Sequence, residues 1–168
     1  MRILFWPILT LALYTLQTSW FLFFHTSQSP DLLLILILLV ALEEGPAAGG
    51  LLGCGVGILQ DVVTFSFFGY HLVTRTLIGL AVGAMRENIF KDQLSTFLIL
   101  VAIISGFLKV LHVLFLMVYQ REIFTLWPLA WDAGKYIGWN VVCAIPMWII
   151  CKVLLTAVQR RESRYYKF

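Results

Sequence analysis

The sequence predicts an all-α polytopic membrane protein of six short transmembrane helices, and three observations carry that prediction. Hydrophobic residues fill 61% of the 168 positions, charged residues only 12%, and the mean hydropathy is +0.91. A soluble domain is about half apolar and about a quarter charged, so this chain lacks the polar residues needed to cover a water-facing surface. Its apolar residues also fall into runs of near-membrane length, separated by short clusters of polar residues, glycine and proline.

The first run covers residues 3–24. Pro7 falls in its opening turns, where a missing amide donor matters least. Arg2 ahead of it resembles the start of a signal peptide, but the run is about twice the usual length of that apolar core and no small-x-small pattern follows. A retained first helix is expected. The polar break His25-Thr26-Ser27-Gln28-Ser29-Pro30 ends it. The second segment, residues 31–44, is dense in leucine and isoleucine. At about 1.5 Å per residue it reaches only some 21 Å, short of a hydrocarbon core near 30 Å. Either the bilayer thins around it or neighbouring helices shield its ends.

Glu43-Glu44-Gly45-Pro46 makes a tight turn, and Pro46 is placed to begin the third helix, residues 46–63. Gly45, Gly49, Gly53 and Gly57 recur at every fourth position, and Asp61 continues the row. Such i+4 steps stay on one helix face, and bare backbone there lets another helix approach closely, as small-xxx-small patterns do in membranes. Two readings remain open: packing against the chain's own helices, or a docking face for another protein. On the second reading, Gly53→Leu blocks assembly by steric exclusion. The fourth helix covers residues 68–85 and carries a Gly79-xxx-Gly83 pair, and residues 86–93 form a polar stretch. Residues 95–119 form the fifth helix with Ser95 as its cap. Residues 121–132 read as an amphipathic interfacial connection containing tryptophan. The sixth helix covers residues 132–158, with Pro146 expected to kink its middle, and residues 159–168 form a basic tail. The whole reads as one transmembrane domain.

With six crossings, one side of the membrane holds Arg2, Arg86, Lys91, Lys152, Arg160, Arg161, Arg164 and Lys167. The other holds only Arg121 and Lys135, while Arg75 and Lys109 lie inside spans. The positive-inside rule therefore puts both termini in the cytoplasm. Ionisable residues within a membrane are functional candidates because each needs a partner. Five stand out: Asp61, His71, Arg75, Lys109 and His112, all in the outer half under this topology. An Asp61–Arg75 ion pair would satisfy both groups and pin helices three and four. His71 and Arg75 share a face at i,i+4, as do Lys109 and His112 at i,i+3. These residues either serve as structural partners and a snorkelling lysine, or line an outward-facing polar cavity.

Several classes are disfavoured. The net charge of +3 concentrates in the tail, which reads as a topology signal facing anionic lipid rather than a nucleic-acid patch. Cys54, Cys143 and Cys151 show no metal-binding spacing and lie in apolar stretches. No metal or other cofactor is expected. There is no H-E-x-x-H, G-x-S-x-G or phosphate-binding loop motif, so an enzyme is not expected.

One stretch carries a resemblance. Pro30-Asp31 leads into the leucine-rich helix, then Glu44-Gly45-Pro46, Gly49-Gly50-Leu51-Leu52-Gly53, Gly57-Ile58-Leu59-Gln60-Asp61 and, a loop later, Gly69-Tyr70-His71. This order resembles the MreD family of bacterial rod-shape-determining proteins, and the match covers about a third of the chain, while Cys54, Gly55 and the Phe65-Ser66-Phe67-Phe68 loop depart from it. The resemblance implies a non-enzymatic scaffold of the inner membrane that helps position peptidoglycan synthesis. Its implied partners are the bitopic protein MreC and, in a larger complex, MreB, RodA and penicillin-binding protein 2. It also implies a fold similar to the six-helix substrate-binding subunits of energy-coupling-factor transporters. The alternative is therefore a vitamin-binding subunit of such a transporter. Against it, Trp6, Pro7 and Leu9 are too bulky to give the first helix a small-residue docking face.

Overall fold

The structure, a computed structural model, describes residues 2–24, 29–64, 69–87, 93–119 and 126–165, with side chains over 8–19, 29–64, 69–87, 93–118 and 127–153. Six helices lie among them: α1 Arg2–Phe24, α2 Leu32–Glu44, α3 Pro46–Thr64, α4 Tyr70–Ala84, α5 Leu94–Tyr119 and α6 Leu126–Tyr165. Among the described residues, three stretches are long and apolar enough to cross a membrane on their own: Pro46–Thr64, Leu94–Val118 and Trp127–Val153. The helices α2 and α4 have 13 and 15 residues and fall below a spanning length of about 17.

The shortest helix is the centre of the molecule. Every residue of α2 from Leu32 to Leu42 is buried, none more than 3% exposed. Around it pack Ile78 and Val82 of α4, Phe97 and Val101 of α5, and Cys143 and Ala144 of α6. On another side Leu33 and Ile37 meet Val56 of α3 and Leu13 and Tyr14 of α1. Neighbouring helices therefore shield this short segment along its length. A helix that is apolar all round is the kind that is buried on every side.

The ends of α2 are closed by its own sequence. Asp31 is the N-cap, its carboxylate accepting the Leu34 amide at 3.0 Å. Gly45 alone links α2 to α3 with φ of 98°, a left-handed region that only glycine enters readily, and Pro46 opens α3 as expected. Two later boundaries differ from expectation. The sixth helix begins at Leu126, absorbing part of the interfacial connection, because Pro128 falls in its first turn and does not break it. The helical backbone also continues into the expected tail, to Tyr165, and the tail's side chains lie outside the description. The fifth helix starts one residue early, so Ser95 sits inside its first turn rather than at the cap. The Phe65–Phe68 loop and Arg121 are also outside the described residues.

The helices α2 and α6 run parallel, clasped at both ends. The Asp31 amide donates to Asn140 Oδ1 at 2.7 Å, and Lys152 Nζ meets Glu43 Oε1 at 2.6 Å. Both clasps join positions 109 residues apart, so the two helices advance in step from one clasp to the other. Pro146 lies between them in continuous helix, although it leaves the Val142 carbonyl without its usual intrahelical donor.

Candidate functional site

The glycine row is the contact between α3 and α4. A β-carbon built on Gly57 would stand 2.5 Å from Leu72 Cα, and one on Gly83 would stand 2.5 Å from Pro46 Cα. One on Gly53 would strike the Arg75 carbonyl, and one on Gly79 the Gly49 carbonyl. One on Gly49 would meet both the Gly79 carbonyl and the Ala41 side chain of α2, at 2.7 and 2.6 Å. The two backbones thus touch over their length, as close small-residue packing in membranes requires. This corrects the docking alternative for Gly49, Gly53 and Gly57, since α4 already covers that face. At the turn, a β-carbon on Gly45 would stand 2.7 Å from the Arg86 guanidinium.

Asp61 and Arg75 do not pair with each other, which corrects the expected ion pair. Asp61 instead accepts the backbone amides of Gly69, His71 and Leu72 at 2.8, 2.9 and 3.0 Å. It caps α4 from the last turn of α3, satisfying donors that every helix start leaves open and placing negative charge at the positive end of the helix dipole. Gly69, at the cap position itself, has φ of 107° and no side chain to do this.

Arg75 pairs with Asp31 across the bundle through Nη2 and Asp31 Oδ2. Its Nε donates to Gln60 Oε1 at 3.1 Å. Tyr136 Oη also donates to Asp31 Oδ2, at 3.2 Å. Asn140, besides accepting the Asp31 amide, donates through Nδ2 to Ser105 Oγ at 2.8 Å. One buried polar network therefore joins α2, α3, α4, α5 and α6 at the Asp31 end. In a low-dielectric interior such a network stays favourable only if nearly every member is satisfied. One member is not: Arg75 Nη1 is buried and has no hydrogen-bond partner.

Beside this network lies a cavity of about 330 Å³. His71 and Arg75 of α4, Lys109 and His112 of α5, Asp31 and Tyr136 line it, with Tyr70 and Thr74. Four of the five ionisable residues picked out by sequence thus surround one space, and Asp61 stands outside it. Tyr70 bridges α4 to α5, with its ring centroid 5.8 Å from His112 and 5.0 Å from Phe115. Lys109 Nζ lies 5.8 Å from the centroid of the Tyr136 ring. The residues that sequence reasoning missed are Asp31, Gln60, Ser105, Tyr136 and Asn140. An asparagine inside an apolar helix was the available signal for Asn140, because buried amides need partners.

Among the described residues there is no group of three or more His, Cys, Asp or Glu arranged to hold a metal ion. A helical bundle with an enclosed apolar helix, exposed apolar side chains and three stretches long and apolar enough to cross a bilayer has the character of a membrane protein. The model of the family described as rod shape-determining protein MreD matches residues 1–158, and the chain belongs to that family. Its general role is therefore in determining rod shape, and its family is one of membrane proteins rather than a known enzyme family. No curated protein and no solved structure matches the chain significantly, so neither the likeness to energy-coupling-factor subunits nor the vitamin-binding alternative gains support from that side.

Proposed function

We propose that this protein is a non-enzymatic scaffold of the cell-elongation machinery in the bacterial inner membrane. It binds the transmembrane region of MreC and, through the larger assembly, helps MreB, RodA and penicillin-binding protein 2 position peptidoglycan synthesis. The observation that carries this reading is the family match over residues 1–158. The packing is compatible with it: the α2 core is enclosed, while Ile99, Ile103 and Val110 of α5 and Val142 and Ile149 of α6 are exposed apolar residues available to lipid or to a partner helix. In this proposal all six helices lie in the membrane with both termini cytoplasmic. The parallel course of α2 and α6 and the eight-to-two split of basic residues support that orientation. It puts Lys152 and Arg86 inside and the Asp31 network toward the outer face.

The test is purification of the tagged full-length protein from its native membrane in mild detergent, with identification of what accompanies it. Co-recovery of MreC, together with rounding of cells depleted of this protein, is the expected result. Recovery of paired transport ATPases without MreC, from cells that keep their rod shape on depletion, overturns it.

A further inference from the structure

We propose that the cavity at the Asp31 end binds a phosphate-class anion, either the headgroup of an anionic lipid or a free phosphate or diphosphate. This goes beyond the scaffold reading and does not depend on it.

The argument begins with which groups in the cavity are already committed. Asp31 is the carboxylate in its lining, and it is fully engaged: Oδ1 holds the Leu34 amide, and Oδ2 holds both Arg75 and Tyr136. It has little capacity left for a cation. Asp61 does not line the cavity and is committed to three amides of α4. The Thr74 hydroxyl is also engaged, donating to the Tyr70 carbonyl at 2.7 Å.

What remains uncommitted is donors. Arg75 lines the cavity, is 4% exposed, and keeps one guanidinium nitrogen without an acceptor. Lys109 has no carboxylate partner among the described residues; its ammonium faces the Tyr136 ring instead. Two cations against one carboxylate leave an unneutralised positive charge in a partly desolvated space, where Coulomb attraction far exceeds its value in water. His71 and His112 add imidazole nitrogens from α4 and α5. An occupant that answers all of these is a compact anion with several acceptor oxygens. A phosphate carries about −1.5 to −2 charge on three such oxygens, and guanidinium and ammonium groups recognise it well. The volume, about 330 Å³, sits at the lower end of ordinary ligand sites, roughly 300–1,000 Å³, and suits a headgroup rather than a large metabolite.

The test uses the full-length protein in nanodiscs, wild type against Lys109→Ala. That substitution removes none of the hydrogen bonds of the Asp31–Arg75 network, and His112→Ala gives a second, independent variant. Binding is measured to phosphatidic acid doped into phosphatidylcholine nanodiscs, and separately to inorganic phosphate and pyrophosphate by calorimetry. Loss of a hydrogen bond to a charged group predicts binding weaker by about tenfold or more in Lys109→Ala. Saturable binding of phosphatidic acid with that loss assigns the site to a lipid headgroup. The same loss seen with pyrophosphate or phosphate, but not with the lipid, assigns it to a free anion. Absence of binding by all three probes, or binding that Lys109→Ala and His112→Ala leave unchanged, overturns the proposal.

Discussion

The α3–α4 pair and the α5–α6 pair are packed by different means. Between α3 and α4 backbone rests on backbone at Gly53, Gly57, Gly79 and Gly83. Between α5 and α6 the contact is made by side chains, and Gly106 has room, its β-carbon meeting only Ile137 Cδ1 at 3.5 Å. Gly134 and Gly138 of α6 face open space, although they keep the same four-residue spacing as the α3 row. A small-residue motif therefore does not by itself declare a helix contact. What distinguishes the two rows is whether the chain supplies a short, equally bare helix to lie against, and α4 is that helix.

The largest effect expected is at the point that joins the two halves. Asp31→Ala leaves Arg75 buried without its counter-ion and should destabilise the protein by about 3–5 kcal/mol, read as a fall in thermal unfolding temperature in detergent. A small shift would mean that the halves are held together mainly by apolar packing around α2. Next comes Gly79→Ala, whose β-carbon meets the Gly49 backbone rather than a side chain that can turn aside. Overpacking of this kind costs about 1–3 kcal/mol or more. Gly106→Ala, run alongside, should be nearly silent, and equal losses at the two positions would abolish the distinction between the seams. Asp61→Ala removes the cap of α4 and should cost about 1–2 kcal/mol, with faster amide exchange at Gly69, His71 and Leu72 marking the loss as local. Smallest is Gly138→Ala, in open space within a helix, which should stabilise by up to about 1 kcal/mol through helix propensity. A marked loss there would reveal a contact that the isolated chain does not make.

The sequence made the helices and the glycine face legible because both are periodic. Gly45 to Gly57 could be counted, and Pro46 marked a helix start that the structure keeps. The partner of each charge was less accessible. Asp61 and Arg75 are near in sequence and opposite in sign, yet Asp61 turns to the amides of α4 that lie directly ahead of it, while Arg75 reaches Asp31, which is 44 residues away. Likewise, the clustering of His71, Arg75, Lys109 and His112 depends on how α4 and α5 are rotated about their axes. Residue spacing constrains each helix separately and leaves that rotation free.

The enclosure of α2 has a consequence for how the chain is made. Its cap partner Asn140 is synthesised 109 residues after Asp31, which at about 5–20 residues per second is a delay of roughly 5–20 s. During that interval a 13-residue helix, too short to anchor itself across a bilayer, has only α1, α3 and the growing remainder for company. In the proposed topology the single-residue Gly45 link would let α2 enter the membrane as one arm of a hairpin with α3, which is long enough to hold the pair in place until α6 arrives.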